Sequence, residues 1–327
     1  MNTLNAIPLN KTYGNTGIGK IYFNPGAIKS IYVCPSDFVL SGTAIATPAA
    51  AIAALAAAAQ SDDPLSRIFP INNLVALADS SEAIVREKMA SGADVSVRYG
   101  TYTHGWRIRK GGLSLLRRLQ FFNPYPDLIS LMWLDANGFL FGSQATDSEG
   151  NQGMGGATLE DWFADKWKFN DFSKTTELIA YYNMFPEYIN GLLTYIGLGT
   201  SVNMATTVFG LQDIALQASG ATVTSGSYSV QVVTAEPAAN ITSKNSTALA
   251  APSMYTVTNA ATGKPIAFTA ATYDATNQAI TIVCTKTDPN YPIAEGSVAI
   301  NLVGPTEMAT GNMPGYESSG PVILPVS

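Results

Sequence analysis

Few side chains in this sequence could do covalent or metal chemistry. The chain holds one histidine, His104, and two cysteines, Cys34 and Cys284, among 327 residues. Ser-His-Asp or Cys-His catalysis would have to run through His104. Multi-histidine metal sites, all-cysteine zinc sites and a disulfide framework are excluded by count. Glu160, Asp161 and Asp165 lie close together, and paired carboxylates are what glycosidases use. Thr158-Leu-Glu-Asp161 is also a capping-box pattern ahead of Trp162-Phe163, and no second, separated acid accompanies it. Capping of a short helix is therefore the expectation. Trp162, Phe163, Trp167, Phe169 and Phe172 read as core rather than as a sugar platform.

Gly14-Asn-Thr-Gly-Ile-Gly-Lys20 matches the first seven positions of a phosphate-binding loop. Ile21 stands where the magnesium-binding hydroxyl belongs, and no apolar strand leads in, so a flexible N-terminal arm is expected instead. Asp147-Ser-Glu149-Gly-Asn151 spaces oxygen ligands as a calcium loop does. It lacks the glycine at loop position six (Gln152) and the acid at position twelve (Thr158), which excludes an EF-hand and leaves a solvated, glycine-rich loop. Arg107, Arg109, Lys110, Arg117 and Arg118 form the one basic cluster. It is expected to meet the acidic face of a neighbouring subunit, with Asp147, Glu149, Glu160 and Asp161 as candidate partners. The triplets at Asn240 and Asn245 are taken as chance matches to a glycosylation signal.

These residues sit in a chain with 18 Lys and Arg against 24 Asp and Glu, a net charge of -6, and only 13 % charged residues. A protein that binds nucleic acid through phosphates should carry a basic excess, so general DNA or RNA binding is disfavoured. At 46 % hydrophobic, the chain can bury the cores of about two domains. No secretory pattern opens it and no stretch reaches about 18 apolar residues; with its unpaired cysteines it reads as a soluble protein made in a cytoplasm.

Residues 1–216 carry 15 basic and 18 acidic residues, and residues 217–327 carry 3 and 6. The shift places one domain at 1–216, a linker at 217–223 and a second domain at 224–327. In the first part, residues 47–59 (TPAAAIAALAAAA) predict a helix. Residues 94–99 alternate as a strand continuing through 109, with Gly100 or Gly105 as a bulge or bend. Residues 113–122 predict an amphipathic helix stopped by Asn123-Pro124. Residues 128–134 and 139–143 flank a turn at Asp135-Ala-Asn-Gly138, and 177–185 form another buried strand. The order predicts a mostly antiparallel sheet with one packed helix. After residue 224, short Thr/Val/Ala-rich runs between turn clusters read as a small β-sandwich.

On these segments, residues 81–187 resemble the tail-tube proteins of long-tailed bacteriophages. Residues 94–110 (DVSVRYGTYTHGWRIRK) look like that family's first long hairpin, 112–123 like its single helix, and 128–142 (LISLMWLDANGFLFG) like its second hairpin. Residues 153–167 look like its glycine-bearing loop and 170–187 like its closing strand. Residues from about 224 to 327 look like an appended immunoglobulin-like domain. The resemblance implies a mainly β, antiparallel sandwich or barrel with one packed helix plus an immunoglobulin-like sandwich. It implies a structural virion protein, not an enzyme, with no cofactor and no metal. Its partner would be itself, in stacked, hexameric rings forming the phage tail tube, together with other tail proteins. DNA would pass through without specific binding, and assembly would take place in the host cytoplasm. Residues 11–32 would supply a segment that adds to neighbouring sheets. A capsid decoration or collar protein, and a carbohydrate-binding surface protein using Trp162, Trp167 and Glu160, are the competing readings.

Overall fold

A computed structural model describes residues 26–327 except 73, 84, 99, 109–111, 169–176, 186–192, 220–225, 236–237, 293–295 and 327. The protein is mainly β and divides into two compact units. Unit 1 runs to Phe209 apart from Gln60–Asp62, which group with unit 2, the unit that otherwise begins at Gly210.

Unit 1 is built from β1 (Ile28–Pro35), β2 (Val39–Leu40), α1 (Pro48–Ala59), β3 (Phe69–Ile71), β4 (Leu74–Asp79), β5 (Val85–Lys88), β6 (Asp94–Arg98) and β7 (Tyr102–Ile108). There follow α2 (Gly112–Phe121), β8 (Ile129–Asp135), β9 (Phe139–Thr146), β10 (Gln152–Gly155), β11 (Ala157–Lys168), β12 (Glu177–Met184), β13 (Leu193–Gly197) and α3 (Met204–Thr207). One sheet runs β2-β10-β9-β8-β11-β12-β7-β4, with β1 on β8, β3 on β1 and β13 on β9. Between β8 and β11 the ladder thins to two pairs, Ala157 with Leu131 and Thr158 with Ser130. Beyond it β11 turns to pair with β12 through two register shifts, so the sheet curls there.

The curl creates two cores. Inside it, Ile31, Val33, Leu131 and Trp133 face Trp106, Ile108, Trp162, Leu178, Ala180 and Tyr182, with Leu116 and Leu119 of α2 completing the cluster. On the other face of β1 and β8, Tyr32, Cys34, Met132 and Leu134 pack with Ala51, Ile52, Leu55 and Ala59 of α1. All seven residues of β8 are therefore buried, which is why the segment reads as an unbroken apolar run rather than an alternation. The turn after it has Gly138 at φ +80°, and Asp135 accepts the N–H groups of Asn137 (2.9 Å) and Phe139 (2.7 Å).

Unit 2 contains β14 (Gln212–Ala218), β15 (Ser227–Thr234), α4 (Ser246–Leu249), β16 (Tyr255–Asn259), β17 (Phe268–Asp274), β18 (Ala279–Cys284), β19 (Ser297–Leu302), α5 (Pro305–Thr310), β20 (Tyr316–Ser318) and β21 (Val322–Pro325). Its sheets run β17-β18-β15-β14-β20 and β16-β19-β21. Lettered in chain order with β20 set aside, these are D-E-B-A and C-F-G, the strand arrangement of a seven-stranded immunoglobulin sandwich. Both inner faces share one core, from Ile214, Val230 and Ile282 to Val257, Val298 and Ile300. Cys284 lies buried in it as a free thiol, so no inter-sheet disulfide is needed.

Several expectations are corrected. Residues 212–218 form the first strand of unit 2 rather than the end of unit 1 and a linker, because Ile214 and Leu216 bury into the sandwich core. From residue 28 the supposed N-terminal arm is an interior strand, since Ile31, Tyr32 and Val33 are fully buried between β8 and β3. Residues 11–25, with the Gly14–Lys20 motif, lie outside the described residues. Both helices expected in unit 1, at 47–59 and 113–122, are present as α1 and α2. Residues 94–110 do not fold back on themselves, because β6 pairs with β5 while β7 pairs with β4 and β12. Residues 153–167 form β10 and β11, not a loop, so Thr158–Asp161 caps no helix: Trp162 and Ala164 bury on alternate positions as a strand requires.

Candidate assembly surface

Residues 74–108 form one long hairpin. The β4–β7 pairing runs from Leu74 opposite Ile108 to Asp79 opposite His104. It continues through Ser80 N–H to the Thr103 carbonyl and Glu82 N–H to the Thr101 carbonyl, both 2.9 Å. There Gly100 packs so closely on the Glu82 backbone that any Cβ would collide with its carbonyl. Past this crossing β5 and β6 pair with each other alone. The tip closes with Met89 N–H to Ala93 and Gly92 N–H to Met89, Gly92 taking φ +81°.

This distal ribbon is exposed on both sides, with single apolar residues among charged ones. Register puts Glu87 opposite Val95, and Lys88 and Arg86 opposite Asp94 and Ser96. Arg86, Lys88, Asp94 and Ser96 thus share a polar face. Glu87 and Val95 share the other, and beyond a register shift Val85 stands opposite Arg98; Met89 is 51 % exposed and Val95 41 %. A lone two-stranded ribbon is marginal in water. Here an Arg98–Glu82 contact at 3.8 Å between exposed groups adds little.

A second exposed feature lies on the convex face of β11, β12 and β7. Because Trp162, Tyr182 and Trp106 point into the core, their neighbours Phe163, Tyr181 and Gly105 point out. Phe163 stands directly opposite Tyr181, and Tyr181 opposite Gly105. A Cβ at Gly105 would come within 3.0 Å of the Tyr181 ring, so the ring lies over the glycine. Gly105 is accordingly no bulge: the β7–β12 register is unbroken. Phe163 is 50 % exposed and Tyr181 42 %. The exposed acids Glu160 and Asp161 flank this pair along β11, where the strand shifts register.

The expected site residues are divided among elements. Arg107 is exposed on the outer face of β7. Arg117 and Arg118 ride on α2, which packs against the inner face through Leu116 and Leu119. The sheet therefore stands between Arg107 and the two helix arginines, while Arg109 and Lys110 lie outside the described residues. Asp147 and Glu149 sit in the β9–β10 turn, and Glu160 and Asp161 on β11. Backbone N–H groups of Asn151 and Glu149 hold the Asp147 carboxylate below its ordinary pKa, which makes it a turn-former. Phe163 and Tyr181 were missed because aromatic density reads as core. The signal was their parity against Trp162 and Tyr182.

Trp162 is 1 % exposed and donates its Nε1–H to the Leu119 carbonyl at 3.0 Å, so it offers no sugar platform. Burial pushes the Cys34 thiol far up and that of Cys284 up to about 11, keeping both protonated. His104 has Nε2 3.7 Å from Asp79 and a buried Nδ1 without a partner. A cleft of about 510 Å³ is lined by Lys29, Ser30, Asp135 and residues 199–205, but Asp135 already receives three backbone N–H groups, including Gly26 at 2.7 Å. Among the described residues no group of three or more His, Cys, Asp or Glu is placed to hold a metal, and no helix is long and apolar enough to cross a membrane. No protein-family model matches the chain, and no curated protein matches it.

Proposed function

We propose that this protein is a structural subunit of a bacteriophage virion that polymerises, as stacked hexameric rings, into the tail tube through which DNA leaves the capsid. The observation that carries the reading is the ribbon of β5 and β6: a two-stranded element projecting from a sheet, with apolar side chains in water, gains its stability from a neighbouring subunit. Ribbon and sheet face occupy different places on one chain. Contacts between such unlike surfaces are heterologous and close into rings or run on as helices. The net charge of -6 suits a conduit that must release phosphate rather than hold it.

Negative-stain microscopy of the purified full-length chain tests the proposal. Hollow tubes or stackable rings are the expected result. Particles that remain single at high concentration and in high salt would sink it.

A further inference from the structure

We infer that His104 is a proton-operated latch on the root of the 74–108 hairpin: once protonated, its ring leaves Tyr182 for Asp79 and water, and the last rungs between the two strands open while both cores of unit 1 stay folded. Such a latch acts within one copy and is independent of tube formation. Its parts come from three neighbouring strands. His104 stands between Tyr182 of β12 and Asp79 of β4. Its ring meets the Tyr182 ring edge-on, with centroids 5.4 Å apart and an interplanar angle of 73°. Nδ1 is buried without a partner, and the Tyr182 hydroxyl accepts the Trp133 indole N–H instead. Nε2 lies 3.7 Å from Asp79 Oδ1, too far for a hydrogen bond and near enough for attraction between charges.

Tyr182 and Asp79 are the titratable groups that face the imidazole among the described residues. Burial pushes the Tyr182 phenol up, so it stays neutral. Hydrogen bonds from Ser81, its backbone N–H at 2.9 Å among them, hold the Asp79 carboxylate below its ordinary pKa and keep it charged at the exposed end of the ladder. When the ring takes up a proton, the buried Nδ1 becomes a charged donor with nothing to receive it, a state that desolvation penalises heavily. Moving toward Asp79 and water relieves it. The space vacated beside Tyr182 then admits water to the end of the ladder, which is thin there. Past the Asp79–His104 pair, Ser80 N–H to the Thr103 carbonyl and Glu82 N–H to the Thr101 carbonyl join the strands before the Gly100 crossing.

Hydrogen exchange in the full chain tests this, read by NMR well above and well below the midpoint of the His104 ring resonances. Protection of the Ser80 and Glu82 amides should fall about tenfold across the midpoint, while that of the buried strand β8 is unchanged. His104→Gln, neutral at every pH, should show no fall. Protection that holds below the midpoint would overturn the latch. So would a fall shared by β8, which is general acid unfolding, or a fall that survives His104→Gln. Should that variant fail to fold, the unmodified chain gives a second readout: cross-relaxation between the His104 and Tyr182 rings should be present above the midpoint and lost below it. A ring contact that persists in the protonated state would overturn the latch, as would an imidazole that stays neutral until the whole chain unfolds.

Discussion

Trp133 of β8 donates its indole N–H to the Tyr182 hydroxyl of β12 at 2.7 Å, both residues being buried. Tyr182 in turn stacks on Trp162 at an interplanar angle of 11°. The hydrogen bond spans the curl where the ladder between β8 and β11 thins to two pairs. Removing the acceptor leaves an indole N–H orphaned in the core. Tyr182→Phe should therefore cost about 1–3 kcal/mol in denaturant unfolding. A change under about 0.3 kcal/mol would show that the bond does not tie the halves together.

The single histidine makes a clean pH probe. Burial, partly opposed by the Asp79 charge, lowers the His104 pKa in the folded state. The folded protein thus prefers the neutral imidazole. Its contribution is fully present above the unfolded value of about 6.5 and is lost as pH falls below that value toward the folded pKa. NMR titration of this one imidazole should give a midpoint below 6.5. His104→Gln should flatten the stability profile on the acid side of 6.5, and an unshifted midpoint would contradict the burial argument.

Deleting the ribbon separates folding from assembly. Replacement of residues 85–98 by Asn-Gly leaves the β4–β7 ladder and both cores of unit 1 intact. Such turns suit two-residue hairpins. The melting transition should stay within a few degrees of the parent while polymerisation is lost. Tubes of normal appearance from the shortened chain would show that assembly uses other surfaces.

Two glycines with the same backbone sign should respond differently. Gly138 has φ +80° and its missing Cβ would collide with the Gly199 carbonyl, whereas Gly150 has φ +84° and open space around it. Gly150→Ala should cost about 1 kcal/mol from conformation alone, and Gly138→Ala two or more because backbone must also move. Equal melting temperatures for the two variants would disprove the steric part.

The elements were readable wherever local pattern and tertiary burial agree. The apolar run of β8, the Asp135–Gly138 turn, the helices at 48–59 and 112–121, and most strands of unit 2 follow from burial on one or both sides. What was not readable is partner choice. The alternation of residues 94–98 suits pairing with 85–88 as well as with 102–108, and the difference lies in Gly100 crossing the Glu82 backbone. At 158–161 a capping pattern lost to the burial of Trp162 and Ala164, because local propensity is weaker than two buried side chains. The aromatic face escaped for a related reason: Phe163 and Tyr181 look like core until the inward parity of Trp162 and Tyr182 is known.

The parallel pairing of β14 with β20 joins Gln212 to Tyr316. Such a contact between distant points of the chain closes slowly, since a loop of roughly a hundred residues must be ordered first. On the ribosome, all strands of unit 1 precede residue 210, so its curled sheet can be complete before the sandwich has received its last strands. A nascent subunit would then carry a finished ribbon and aromatic face while its second half is still unfolded. Timing of synthesis, rather than affinity, would then decide whether neighbouring chains meet too early.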